Sequence, residues 1–102
     1  MSAVTVSDNP AANRFEARID GALAGFVDYE LTDDEVAFTH TIVDPAFGGR
    51  GVGSALARHA LDQVRDGGLR KAVPICPFIK AWIDRNPEYL AVTASDHPSL
   101  AD

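Results

Sequence analysis

One cysteine, one methionine and one tryptophan stand among 102 residues, aromatics make up 8%, and 9 Lys plus Arg face 15 Asp plus Glu. Each scarcity excludes something. A lone thiol, Cys76, permits neither an internal disulfide framework nor a thiolate-rich metal site, and it fits a reducing compartment. The formal charge of −6 argues against broad nucleic-acid binding, which needs clustered Lys and Arg to neutralise phosphates. It suits plain solubility and mildly favours cationic substrates such as amines. No apolar run is long enough to span a bilayer, and no basic flank with an apolar core marks a signal peptide. A cytoplasmic protein with no nucleic-acid and no membrane partner is expected. No His, Cys, Asp or Glu cluster has metal-ligand spacing, so no metal is expected.

What is present suits one globular domain, with 46% hydrophobic and 24% charged residues. A single domain over 1–102 is expected, with flexible ends at 1–12 and 94–102. Met1 to Asn13 reads as a loose lead-in. Phe15, Ala17 and Ile19 then alternate with Arg14, Glu16, Arg18 and Asp20, the period of a half-buried strand. Asp20-Gly21 is a hairpin turn signal. Leu23 to Leu31 returns, with Leu23, Val27, Tyr29 and Leu31 on one face, and Thr32-Asp33-Asp34 turns again. Glu35 to Val43, rich in β-branched and aromatic residues, completes an antiparallel meander.

From Gly51 to Asp66 the period becomes helical: Val52, Leu56, Ala60 and Val64 share a stripe with Ala57 and Leu61, while Arg58, Asp62 and Arg65 point outward. Gly67-Gly68 supplies a left-handed stop. Leu69 to Cys76 reads as a fourth strand, reached by a right-handed crossover that sets it parallel to the third. Pro77 opens a second helix carrying Phe78, Ile79, Trp82 and Ile83 in the core, and Pro87 ends it. The tail from Ala94, with Ser95, Asp96 and Pro98, is expected to be mobile. The fold class is therefore α+β with a mixed sheet. Pro74 is out of place in an interior strand because it has no N–H. Either it opens a gap between strands three and four, or the strand ends early at an edge.

The densest signal lies between the third strand and the first helix: Gly48-Gly49-Arg50-Gly51-Val52-Gly53-Ser54. Glycine lets the backbone turn sharply and approach a ligand, and a helix start offers unpaired N–H groups and partial positive charge. Together these suit phosphate or pyrophosphate. A nucleotide-triphosphate loop requires Lys after its last glycine, where Ser54 stands. A dinucleotide fingerprint requires glycine at position 54 or 56, occupied by Ser54 and Leu56.

What remains, Arg50-Gly51-x-Gly53-Ser54 at a strand-to-helix turn, resembles the GNAT superfamily of acyl-CoA-dependent N-acetyltransferases. Gly51 and Gly53 match the last two signature positions, and Gly48 departs from the expected Gln or Arg. Through His40-Thr41, the glycine loop, Cys76-Pro77-Phe78 and Asn86-Pro87-Glu88-Tyr89, the chain is most similar to the short single-domain members. The resemblance implies a V-shaped split between two parallel strands, where acyl-CoA lies. It implies acetyl-CoA as co-substrate and an amine acceptor of unspecified kind, small molecule or protein.

By the same resemblance Gly48, Gly49, Arg50, Gly51, Val52, Gly53 and Ser54 cradle the CoA pyrophosphate, with Arg50 pairing with a phosphate oxygen. Backbone N–H groups at Ile42 and Val43 polarise the thioester carbonyl. Lys80 either lies near the CoA phosphates or sits on a solvated face. His40, read as sharing a face with Val36, Phe38 and Ile42, is a candidate general base, or a hydrogen-bonded structural histidine. Short members carry His-Thr-Glu where this chain has Ile42 third, so no strand carboxylate is available as base. Cys76 precedes a helix start and is a candidate nucleophile or acid, or a small buried residue. Tyr89 is a candidate acid toward the CoA thiolate, or a packed aromatic. The expected function is acetyl transfer from acetyl-CoA to an amine. The alternatives are a non-catalytic CoA-binding module and a protein acetylated on Cys76.

Overall fold

Residues 3–94 are described by the structure, a computed structural model. One mixed sheet runs in the order β1-β2-β3-β4-β5. Its strands are β1 (Thr5–Asn9), β2 (Arg14–Ile19), β3 (Ala22–Leu31), β4 (Glu35–Val43) and β5 (Lys71–Pro74). The first three pairings are antiparallel, and β4 with β5 is parallel. Helix α1 (Val52–Gly67) connects β4 to β5, and α2 (Pro77–Arg85) follows β5. The chain is α+β, as its sequence pattern implies.

Local chemistry accounts for most of this. Asp20 and Gly21 both take positive φ, 52° and 82°, the pair that a tight hairpin demands. The apolar stripe of α1 is buried from Val52 to Val64, and Gly68 closes the helix at φ 72° with its N–H on the Val64 carbonyl. That stripe packs on Phe15, Ala17, Val27 and Phe38 of the sheet, and Ile79, Trp82 and Ile83 of α2 join the same cluster. Both helices thus serve one face of the sheet. The opposite face carries no helix among the described residues.

Several expectations need correction. Thr5–Asn9 is not a loose lead-in but an edge strand paired with β2; its inward side carries Val6 and the polar Asp8, which accepts from Tyr29 Oη at 2.6 Å, so it shows little apolar alternation. The fourth strand is Lys71–Pro74, shorter than Leu69 to Cys76. Helix α2 does stop before Pro87, at Arg85, but the chain then continues as a 3-10 segment, Pro87–Val92. Ala94 is tied down by its N–H on Ala72 O at 3.0 Å. Ser95, Asp96, His97 and Pro98 fall outside the described residues.

Two β-bulges move side chains between faces. Register shifts at Ala17/Arg18 and at Asp28/Tyr29, and each extra residue inverts the alternation beyond it. Leu23, paired with Arg18, therefore lies on the face opposite Val27 and Tyr29. On β4, Phe38 pairs with buried Tyr29, whereas His40 pairs with Asp28 and Thr41 with buried Val27. His40 and Ile42 are consequently on the outer face, not on that of Val36 and Phe38, while Thr41 and Val43 turn inward.

The outer face is closed over β1 and β2 by a polar network. Glu16, 6% exposed, accepts from Arg14 Nε at 2.8 Å, Asn9 Nδ2 at 3.1 Å and Arg18 Nη2 at 3.1 Å. The Arg14 bond, then that of Asn9, holds its carboxyl below the ordinary glutamate range, with burial opposing. The folded state then holds its proton less readily than the unfolded chain. The network's stabilisation is complete above the ordinary glutamate range and fades as pH falls through the lowered value. Glu16→Gln should melt at lower temperature than wild type at pH 7, and melting curves taken at successively lower pH should show that gap narrowing.

Candidate functional site

The split forms where the parallel ladder stops. Its last pair is Phe38↔Pro74, and Pro74 can donate no further ladder bond. Cys76 N–H closes the junction on Phe38 O at 2.8 Å, and Cys76 Sγ meets Thr41 Oγ1 at 3.1 Å. Beyond that point β4 continues to Val43 paired only with β3. Asp44 N–H donates to Ala24 O at 2.8 Å. By the alternation of an antiparallel pair, Ile42 and His40 also turn their amides to β3. Thr41 and Val43 turn theirs to the free edge. Of the two amides expected to face the split, Val43 does, and Ile42 is replaced by Thr41.

The glycine loop runs from that free edge to α1. Asp44 accepts from Ala46 N–H at 2.9 Å and starts a 3-10 turn, Pro45–Phe47. Gly49 and Gly51 then take φ of 77° and 76°, where other residues are strained. The first bond of α1 is Ala55 N–H to Gly51 O at 3.0 Å, and among the described residues no side chain caps the helix start. Val52, Gly53 and Ser54 therefore keep N–H groups outside the helix ladder. No acidic residue lies in the first turn to compete for the positive end of the helix dipole. Arg50 is exposed and makes no ion pair among the described residues.

Helix α2 forms the second wall. A Cβ on Gly53 would stand 2.7 Å from Phe78 Cζ, so the missing side chain is what lets the ring lie on the first turn of α1. Phe78 is 37% and Ile75 60% exposed; Phe78 is not the core residue its spacing suggested. The split thus has a polar end of free amides and an apolar wall, pinned at its foot by Cys76 and Thr41.

The remaining candidates divide. His40 is exposed on the outer face, with Nδ1 3.2 Å from Thr39 Oγ1. Lys80 is on the surface, 3.9 Å from Asp84. Tyr89 is not brought to the split. It is buried, donates to Asp62 Oδ1 at 2.7 Å, receives Arg58 Nη1 at 3.4 Å and packs on Trp82 with ring centroids 5.0 Å apart. Asp62 lies about 15 Å along α1 from the glycine loop. Arg58 and Asp62, expected to face solvent, anchor this segment. Sequence reasoning missed Thr41 as the partner of Cys76, because uninterrupted alternation places it on the wrong face.

Comparison with known proteins agrees with this geometry. The family model described as GCN5-related N-acetyl-transferase matches residues 14–92. The ribosomal-protein-S18-alanine N-acetyltransferase from Escherichia coli superposes with a TM-score of 0.61 at 19% identity, over 84% of this chain and 76% of that one. A ribosomal-protein-alanine N-acetyltransferase from Brucella melitensis biovar Abortus 2308 superposes at 0.51 with 22% identity, over 82% of this chain and 62% of that one. At such identities the likeness is one of fold. No curated protein sequence matches this chain.

The Tyr89 anchor has a measurable consequence. The hydrogen bond to Asp62, then burial, raises the Tyr89 pKa. Its stabilisation is whole below the ordinary tyrosine range and is lost as pH climbs through the raised value. Tyr89→Phe should cost about 1–3 kcal/mol near neutrality, and the difference from wild type should shrink above pH ~10. Denaturant melts at both pH values, with steady-state turnover measured alongside, check the assignment; a large loss of kcat without loss of stability would contradict it.

Proposed function

This chain belongs to the GCN5-related N-acetyltransferase family, and from that premise we propose that it transfers the acetyl group of acetyl-CoA directly to an amine. One observation carries the reading: the free edge of β4 and the uncapped start of α1 face the same split, joined by the glycine loop. A thioester with a pyrophosphate at its other end needs those two features together. The residues fit such a substrate. The amides of Gly51 to Ser54 would receive the pyrophosphate, with Arg50 as counter-charge. Gly48 and Gly49 keep the approach free of side chains, and Lys80 is the next cation along α2. The apolar wall of Phe78 and Ile75 would line the pantetheine arm.

The chain's own groups then account for the chemistry. The Val43 and Thr41 amides donate to the thioester carbonyl oxygen as charge develops there. His40 faces the side from which the acceptor arrives and takes the amine proton. The C–N bond forms, the C–S bond breaks, and coenzyme A departs as the thiolate, which is protonated from solvent. Holding the reactants in this geometry is the main catalytic contribution. Cys76 is 4% exposed and engaged with Thr41. In this reading it pins the foot of the split and carries no acyl group. Tyr89 acts in the fold.

Ser54→Glu places a carboxylate at the start of α1. It should raise the KM for acetyl-CoA about tenfold or more with little change in kcat; an unchanged KM would count against pyrophosphate binding there. Cys76→Ser keeps a hydroxyl for Thr41 and should retain kcat within about threefold, with no acetyl adduct on wild-type Cys76 by mass spectrometry. An adduct together with an inactive Cys76→Ser would establish a covalent route instead. Calorimetric binding of CoA without thiol release from any amine would establish a binding module.

A further inference from the structure

The uncovered face of the sheet differs from one side to the other. Over β1 and β2 it is closed by the Glu16 network. Over β3 and β4 the register sets two outward rows, Phe26 beside Ile42 and Asp28 beside His40. At the end of the first row opens a cavity of about 330 Å³ lined by Leu23, Phe26, Ile42 and Pro45, with Asp44 at its rim. That volume falls at the small end of the range for ligand pockets. Ile42 is an apolar side chain 52% exposed among the described residues, and the free Thr41 and Val43 amides flank it along the same strand.

The polar row beside it is not self-sufficient. Arg14 is the register partner of Asp28. Its Nε is instead 2.8 Å from Glu16, and its guanidinium lies 4.3 Å from the Phe26 ring centroid. The Asp28 carboxylate has no hydrogen bond or ion pair among the described residues. Glu30, the next outward residue on β3, is exposed. Asp44, exposed, accepts one hydrogen bond, from Ala46 N–H. A half-buried, unpaired carboxylate beside an apolar cavity favours a cation whose uncharged body fills that cavity.

We infer that the acceptor is a small primary amine bearing an apolar group, with that group in the Leu23–Phe26–Ile42–Pro45 cavity and its nitrogen held between Asp28 and His40. This rests on the acetyl-transfer reading above and gives the acceptor its chemical class. Outward rows on a strand are about 7 Å apart, which suits a ring and a nitrogen separated by two methylenes. A polyamine would place its second charge against the apolar side chains of Leu23, Phe26, Ile42 and Pro45. A peptide would bury amides there without partners. Asp28 is then a substrate-binding residue, and Ile42, the departure from the family's strand carboxylate, is a wall of the acceptor site.

The test compares phenylethylamine, spermidine and an alanine-initiated peptide as acceptors, reading thiol release from acetyl-CoA. Phenylethylamine should show at least tenfold the kcat/KM of the others. Asp28→Asn should raise its KM about tenfold and leave the KM for acetyl-CoA unchanged. Phe26→Ala should abolish the preference, whereas His40→Gln should lower kcat for every acceptor alike. Calorimetry of phenylethylamine with the CoA-loaded protein reads the site without turnover. Preference for spermidine or the peptide, or an Asp28→Asn enzyme of unaltered amine KM and normal melting temperature, overturns the inference while acetyl transfer stands. Failure to bind CoA and to turn over any amine overturns both.

Discussion

The β4–β5 ladder ends after four residue pairs, and the rest of the site depends on that early end. Pro74 cannot donate, so pairing cannot continue past it. The chain turns at Ile75, and the Cys76 amide closes on Phe38. Had β5 continued, the Thr41 and Val43 amides would be spent on a neighbouring strand, and the sheet would be closed where the split now opens. The proline therefore does more than disturb a strand. It leaves two backbone donors unspent at a fixed place, which a flexible side chain could not do with the same accuracy.

The β4 bulge is the second constraint. It separates two jobs that a regular strand would assign to one face. Inward Thr41 meets Cys76 and holds the walls of the split together at their foot, while outward His40 and Ile42 face the open side. A regular strand would have buried His40 among Val36 and Phe38 and exposed Thr41. The cost of one unpaired residue in the ladder is offset by that division. The same logic operates on β3, where the bulge near Ala24 carries Leu23 to the outer face and completes the wall of the cavity there.

Much of this was legible in the sequence, and what was not has a physical cause. The bounds of β4, the hairpin at Asp20-Gly21, the stripe of α1 and the start of α2 at Pro77 follow from local periodicity and turn chemistry, which act over a few residues. The glycine loop was legible because its backbone needs are written in residue type. The faces of His40 and Leu23 were not, because a bulge is fixed by pairing with a distant strand and leaves no local mark. β1 was missed for a similar reason: a polar edge strand such as Thr5–Asn9 gains its order from β2 rather than from its own composition. Tyr89 was drawn toward the site by its motif, yet its hydroxyl is held by Asp62 and Arg58 on the opposite stretch of α1.

Placing both helices on one side of the sheet makes the other side depend on its own polar chemistry. With no second helical layer among the described residues, the outer face relies on its own chemistry in water. Over β1 and β2 it does so with a satisfied carboxylate and two arginines, so that region holds little affinity for anything further. That network also draws Arg14 away from Asp28. The stabilising network therefore leaves the Asp28 carboxylate without a direct ion-pair partner among the described residues, beside the apolar cavity. In this chain the part of the surface that secures the fold also determines which neighbouring side chains are left without partners of their own among the described residues.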